Sequence, residues 1–241
     1  MTVFADDSRF IIDLGMNNGD DTAFYLAKGY NVVAVEANPK LVAAARTRFA
    51  KAIEAHRLTI LENAIWETPG PVKFFINDDN DHWSSVDIGW AGREQSNCRP
   101  LEVEAITLNQ IFDRFGTPLF LKIDVEGVDQ MVLNQLAGQI IKPLYVSVED
   151  CRFGFDYIET LAHCGYDGFK LLDQSTVPTL RDDLLGHCFP KGSSGPFGKD
   201  VPGHWLDKDE IIKLYATTVR DRTGRRLAPR TQWWDIHAAK L

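Results

Sequence analysis

From Phe10 to Asp150, short apolar runs alternate with stretches of helical period. Phe10 to Leu14 (FIIDL) reads as a buried strand leading into a Gly/Asn turn. Asp20 to Lys28 follows as a helix, with Gly29 as its natural C-terminal stop. Asn31 to Glu36 (NVVAVE) is a second β-branched run, and Pro39 opens an Ala-rich helix over Lys40 to Ala55. Leu58 to Leu61, Val72 to Ile76 and Leu101 to Ile106 are further short strands. Thr107 is placed to cap a helix over Leu108 to Phe115. Leu119 to Val125 (LFLKIDV) and Leu144 to Val148 (LYVSV) then flank a helix from Asp129 to Ile141.

Strand–helix–strand units built from such apolar runs predict an α/β fold of Rossmann-like type. Its sheet is expected to be mostly parallel and twisted, with helices on both faces. Right-handed crossovers then put the ligand crevice at the carboxyl ends of the strands. After Asp150 the pattern changes. Phe155 to His163 and Asp207 to Arg220 read as helices, Gly168 to Leu172 as a strand, and Gly186 to Gly203 as a long Gly/Pro/Ser-rich loop. The expected division is a ligand-binding core over residues 1–150 and a C-terminal extension over 151–241 packed on it.

Composition changes this picture little. The chain has 241 residues, 44% hydrophobic and 25% charged, which suits one large globular domain. A net charge of −8 and a pI near 5.2 argue against bulk-charge binding of nucleic acid or anionic lipid. Arg220, Arg222, Arg225, Arg226 and Arg230 crowd one stretch and read as a solvated face. Cys98, Cys151, Cys164 and Cys188 lack both CxxC pairing and zinc spacing, so reduced thiols in a cytoplasmic protein are expected. The first ten residues lack the basic and apolar segments of a signal peptide, and no apolar run reaches membrane-spanning length. The oligomeric state stays open, a homodimer among the options.

The first candidate motif is Asp13-Leu-Gly15-Met-Asn17-Asn-Gly19, a D-x-G-x-x-x-G turn between strand and helix. Glycines allow a tight turn and close approach of a ligand, and the amides at the helix start supply donors. It is not the G-x-G-x-x-G fingerprint that a pyrophosphate requires. A donor without phosphate, such as S-adenosylmethionine, suits the wider turn. Asp13 would orient the turn or meet the amino-acid end of the ligand. Glu36, ending the second strand, is placed to accept from two ribose hydroxyls. Asn63 and Ala64, after the third strand, are placed to meet adenine.

Lys122-Ile-Asp124-Val-Glu126-Gly127, following that turn and Glu36, resembles the FkbM family of methyltransferases over Phe10 to Asp150. The resemblance implies the class I methyltransferase fold, S-adenosylmethionine as donor, and O-methylation of a hydroxyl on a sugar, glycan or secondary-metabolite acceptor. Met16-Asn17-Asn18 stands where many methyltransferases carry further glycine.

Lys122, Asp124 and Glu126 alternate, so an extended strand end would carry all three on one side, at the crevice edge. Lys122 reads as an ion-pair partner. Asp124 and Glu126 read as candidate catalytic carboxylates for taking up the acceptor proton, with Asp124 also near the donor; oxygen ligation of a divalent cation is the other role open to them. His82, in the polar stretch Asn77 to Pro100, is a third candidate base, and Trp83 beside it a stacking surface. Glu149-Asp150 ends the fifth strand on the same edge. Gly192 to Gly198 reads as a substrate lid or a plain loop, and His187, His204, His237 and Trp233-Trp234 as structural. The extension from Cys151 and the loop around His82 are expected to choose the acceptor. Two other readings are an NAD(P)-dependent or nucleotide-sugar-modifying enzyme on a similar fold, and a non-catalytic binding module.

Overall fold

The computed structural model describes residues 3–5 and 8–241. The signal-peptide reading of the first ten residues therefore falls partly outside the described residues. Seven strands form the central sheet: β1 (Phe10–Leu14), β2 (Asn31–Glu36), β3 (Leu58–Glu62), β4 (Phe120–Ile123), β5 (Tyr145–Glu149), β6 (Gly168–Asp173) and β7 (Trp234–Ala239). Their spatial order is β3-β2-β1-β4-β5-β7-β6, and all neighbours are parallel except β7, which runs antiparallel to both β5 and β6.

Eight helices accompany the sheet among the described residues: α1 (Asp20–Ala27), α2 (Pro39–Arg48), α3 (Ala50–Glu54), α4 (Ile88–Ala91), α5 (Leu108–Phe115), α6 (Asp129–Ala137), α7 (Gly154–His163) and α8 (Lys208–Thr218). Two sets of side chains leave the sheet alternately. Ile12, Leu14, Val33, Val35, Leu121 and Ile123 pack with the apolar faces of α5 to α8. Ile11, Val32, Ala34 and Phe120 pack on the other face with Phe24 and Tyr25 of α1, Ala45 of α2 and Phe49. Burial on both faces is why these strands are nearly continuous apolar runs. Thr107 caps α5 as expected, in a capping box completed by Gln110.

The departures from expectation are local. The predicted helix over Lys40 to Ala55 breaks at Phe49, which caps α2 and starts α3 with its ring turned into the core. The helix after β4 ends at Ala137, not Ile141, because Ile141–Pro143 pairs with the edge segment Val3–Ala5. The division at residue 150 is not a boundary in the sheet, since β6 and β7 lie in the same sheet as β1 to β5. The Gly186 to Gly203 loop is strapped down. Phe189, Phe197 and Val201 are buried in it, and Phe197 stacks on Phe120 at 4.7 Å.

Residues 64–106 leave the main sheet as a three-stranded sheet of Ala64–Ile65, Gly70–Asn77 and Cys98–Ile106. The connection over residues 78–97, read as loop from its polarity, is held by the buried Asn77. Its amide donates to Ala91 O at 2.7 Å, and its Oδ1 accepts from the N–H groups of Asp79 and Asn80. That anchor swings the connection back over the carboxyl edge of the central sheet.

The antiparallel insertion of β7 also buries His237, in register between Ser147 of β5 and Lys170 of β6. Burial, with the neighbouring Lys170 ammonium, depresses its pKa to about 3. In the unfolded chain the ring titrates near the ordinary 6.5. Between these values the unfolded state binds the proton and the folded state does not, so His237 costs stability as pH falls below 6.5. Replacing it with Gln is expected to remove this cost. Urea unfolding at pH 7, 6 and 5 should show the stability difference between wild type and His237→Gln narrowing or reversing, by about 0.7 kcal/mol over the first unit and approaching about 1.4 kcal/mol per unit below pH 6. A pH-independent difference would show that His237 does not titrate this way.

Candidate functional site

In the order β3-β2-β1-β4-β5, the chain leaves β1 toward β2 and β3, then returns to build β4 and β5 on the other side. The crevice between β1 and β4 is thus the switch point where ligands of such sheets bind. The turn after β1 closes against β2: the N–H groups of Gly15 and Met16 both donate to Val35 O at 3.0 Å. Gly15 has φ +79, and a Cβ there would overlap the carbonyl oxygen of Asp124. Asn17 is also left-handed, at φ 49.

Glu36 holds this turn from β2. Its Oε2 accepts from the Asn17 N–H and its Oε1 from the Asn38 N–H, both at 2.8 Å. Burial pushes its pKa up to about 7 against the pull of those amides. A cleft opens beside it, lined by Gly15, Asn17, Glu36, Asn63, Ala64 and Asp124, with His82 and Glu126 also on its wall. Six of the residues expected to bind a donor therefore meet in one cavity.

Two expected donor-site residues sit elsewhere. Asp13 is fully buried beneath the turn; its Oδ2 accepts from the Thr22 hydroxyl at 2.7 Å, and Lys122 Nζ lies 3.5 Å from Oδ1. It orients the turn and does not line the cleft. Gly19 begins α1 at φ +81, and a Cβ there would strike the Phe49 ring at 2.6 Å, so it serves the packing of α1 against Phe49.

The expected alternation of Lys122, Asp124 and Glu126 fails because β4 ends at Ile123 and Glu126 turns left-handed, at φ 54. Lys122 is buried at the base, with Nζ 3.2 Å from Asp124 Oδ2 and 3.8 Å from Asp21 Oδ2. Burial opposes its charge, but Asp124, Asp13 and Asp21 outweigh that and hold the ammonium well above its ordinary pKa. Asp124 remains one-third exposed, at 33%. Glu126 is drawn to the other wall, where its Oε2 accepts from Trp90 Nε1 at 2.6 Å and Arg93 Nη2 at 2.9 Å. Burial and the nearby Asp124 push Glu126 up to about 8, despite Arg93.

A second cleft, about 640 Å³, continues past the first. The two share His82, Asp124 and Glu126. The second is walled by Trp83, Trp90 and Trp233, floored by Glu149 and Asp235, and rimmed by Lys191, Arg226 and Arg230. His82 has a half-exposed side chain, at 46%, beside Gly192 of the strapped loop. That loop is pinned over the site by the Ser194 N–H, which donates to Asp21 Oδ1 at 2.8 Å.

Glu126, Glu149 and Cys151 bring ligand-type atoms within 4.8 Å of one another. Glu126 is engaged by Trp90 and Arg93, however, and the Cys151 thiol donates to Asp129 Oδ2 at 3.2 Å. Burial, with Asp129 and Glu149 beside it, pushes that thiol well above its ordinary pKa. For this cluster to hold a divalent cation, the thiol would have to lose its proton and its bond to Asp129, and Glu126 Oε2 would compete with Trp90 and Arg93. Asp150 is also withdrawn from the cleft's chemistry: it accepts from Tyr215 Oη at 2.5 Å and Arg220 Nε at 3.1 Å. Arg220, expected to be solvated, is buried by that pairing.

The model of the family described as "Methyltransferase FkbM domain" matches residues 13–167, well over half of the chain. The chain belongs to the FkbM methyltransferase family. Its fold is accordingly the class I methyltransferase fold, and the matched span carries the turn, Glu36 and the 122–127 run. No curated protein matches this FkbM chain.

Among solved structures, a methyltransferase FkbM from Methylobacillus flagellatus KT is similar at 15% identity and TM-score 0.46, covering 71% of this chain and 41% of that one. This chain thus spans about two fifths of that protein's length. A precorrin-6y C5,15-methyltransferase from Geobacter metallireducens GS-15 is similar at 12% identity and TM-score 0.42, covering 97% and 80%. The O-methyltransferase TomG from Streptomyces achromogenes, solved with its bound SAM, is similar at 12% identity and TM-score 0.36, covering 97% and 74%. The family assignment stands on the sequence match. No helix among the described residues is long and apolar enough to cross a membrane.

Sequence reasoning missed Trp90, Arg93, Gln174 and Asp235. Trp90 and Arg93 lie in the aperiodic connection, and Asp235 is the second residue of a strand whose polar positions, Asp235 and His237, are buried along with its apolar ones. Only their later position in the fold gives them meaning.

Proposed function

We propose that this protein is an S-adenosylmethionine-dependent O-methyltransferase that methylates a hydroxyl of a small polyhydroxylated molecule or glycan. The observation carrying this reading is the pair of clefts meeting at His82, Asp124 and Glu126. In the first cleft, Glu36 would accept from the donor's ribose hydroxyls on lone pairs left free by Asn17 and Asn38, and Asn63 and Ala64 would flank the adenine. The Gly15–Asn17 turn would receive the methionine end. When bound, the donor supplies an electrophilic methyl on a sulfonium.

In the second cleft, the acceptor hydroxyl would lie between Asp124 and Glu126. Asp124, held by Lys122, orients it. Glu126 takes its proton as the new O–C bond forms and the S–C bond breaks. A carboxylate with a pKa near 8 is a stronger base than an exposed one and stands close to working pH. His82 and the Lys191–Ser194 segment would cover the reacting pair, and the chain beyond Cys151 would select the acceptor. The absence of G-x-G-x-x-G and the carboxylate that ends β2 favour this donor over a dinucleotide.

Calorimetry with S-adenosylmethionine tests the donor half. The wild type is expected to bind, and Glu36→Ala to bind roughly 10- to 100-fold more weakly, the worth of charge-assisted hydrogen bonds. Because ribose hydroxyls donate to the ionised carboxylate, wild-type affinity should fall as pH drops below about 7, where Glu36 takes up a proton. A folded wild type that does not bind overturns the proposal.

A further inference from the structure

The second cleft contains a hydrogen-bonding group that nothing in the protein uses. Gln174 follows the end of β6, at the same sheet edge as Asp124 and Glu149. Its backbone N–H donates to Trp233 O at 2.8 Å, which fixes the residue beside the start of β7. Its side chain is 1% exposed and lines the cleft, yet both Nε2 and Oε1 lack any hydrogen-bond partner. A primary amide so placed costs free energy in the empty site unless something pairs with it. Packing does not demand the amide, because a methionine would fill the same volume without polar atoms.

We infer that Gln174 is an acceptor-reading residue whose amide pairs with a vicinal diol of a neutral polyhydroxylated ring. The inference rests on the methyltransferase reading of the cleft. The amide presents a donor and an acceptor side by side. One hydroxyl of a diol donates to Oε1 while its neighbour accepts from Nε2, so both orphan atoms are satisfied by one uncharged group. A carboxylate or phosphate would satisfy Nε2 and repel Oε1, and an ammonium would do the reverse.

The surroundings agree. Trp233 lines the cleft as an apolar surface for the C–H side of a ring, while Arg93 lies over the rings of Trp83 and Trp90 at 4.5 Å. Glu149 and Asp235 on the floor are held well above their ordinary pKa, by burial first and then by neighbouring carboxylates such as Asp124. Such groups suit uncharged hydroxyls. Of the cations lining the cleft, Lys191 and Arg230 are exposed, Arg230 pairing with Glu94, and Arg226 donates to the backbone oxygens of Ala228 and Gln232.

The test uses Gln174→Met in the full chain. Its melting temperature without ligand is expected to be unchanged or raised by about 2–4 °C, since an unpaired buried amide has been removed. Saturation-transfer NMR is then run on both proteins, saturated with S-adenosylhomocysteine, using methyl glycopyranosides of the gluco, galacto, manno and rhamno series as probes. At least one is expected to bind the wild type, and binding to Gln174→Met is expected to be weaker by ~10-fold or more, the worth of two hydrogen bonds. A melting temperature lowered by several degrees would make Gln174 a structural residue and overturn the inference. So would probes that fail to bind the wild type, or that bind both proteins equally. If S-adenosylhomocysteine itself fails to bind the folded wild type, the methyltransferase reading falls first; if it binds and Gln174 has no effect, only this inference falls.

Discussion

Replacing Gly15 with alanine is expected to abolish donor binding and lower the melting temperature by roughly 5–15 °C, the equivalent of about 2–5 kcal/mol in a chain of this size. Two costs add. At φ +79 an L side chain pays about 1–2 kcal/mol for the left-handed backbone. The new methyl would also overlap the backbone oxygen of Asp124, which cannot rotate away as a side chain could. Relief requires β1 and β4 to separate at their carboxyl ends, where the Asp124 N–H bonds Leu14 O at 3.1 Å. Those are the two walls of the switch-point crevice, so donor affinity should fall more than 100-fold even in the fraction that folds, a loss above about 2.7 kcal/mol. Gly29→Ala is the control. Gly29 is also left-handed, at φ +92, but a Cβ there meets nothing within 4 Å. It should carry the dihedral cost alone and bind the donor normally. Equal losses in the two variants would show that close approach at Gly15 is not the reason for its glycine.

The contrast between these two glycines illustrates what a sequence can and cannot convey. Gly15 follows a strand and Gly29 a helix, and both read as glycines that end an element. Gly29 closes α1 through a local rule, and the helix ends there as expected. That the other backbone pressing on Gly15 belongs to Asp124, 109 positions later, is a property of the sheet order. Periodicity found β1 to β6 because strands buried on both faces are continuous apolar runs. It did not find β7, whose residues alternate Asp235 and His237 with apolar neighbours deep in the sheet. A buried Asp and a buried His in one strand contradict the usual pattern. The contradiction is resolved only by the neighbours that β5 and β6 provide.

The candidate site divides in the same way. Gly15, Asn17, Glu36, Asn63 and Ala64 were legible because each follows a strand, and a parallel sheet brings its carboxyl ends together. Asp13 was legible as important but its role was open: a carboxylate one residue inside the strand is buried with its end, and it props the turn through Thr22 and Lys122. Glu126 was legible as a candidate base, but not its setting. Its environment comes from Trp90 and Arg93, carried by a polar connection whose path is dictated by Asn77. Asn77 itself looked like one more loop residue.

That setting leads to the largest expected effect on turnover. Glu126→Gln should lower kcat by roughly 10²–10⁴-fold, the usual worth of a positioned base, while S-adenosylhomocysteine affinity stays within a few-fold of wild type. Gln keeps an oxygen for one of Trp90 and Arg93, so the wall need not collapse, but an amide cannot take the acceptor proton. The pH dependence separates this from a packing defect. With Glu126 raised to about 8, the active carboxylate form grows as pH rises through that value, so wild-type kcat/KM should climb and level off above it. The climb should vanish in Glu126→Gln. Asp124→Asn is expected to behave differently: it retains a pH limb because Glu126 is intact, but the limb moves to lower pH because the neighbouring negative charge that raised Glu126 is gone, and acceptor KM rises along with the loss of kcat, since an amide weakens both the link to Lys122 and the alignment of the hydroxyl. Release of S-adenosylhomocysteine with a polyhydroxylated acceptor measures all of these. Should Glu126→Gln keep both its rate and its limb, the proton leaves by another route, and His82, the third residue shared by the two clefts, becomes the base to test.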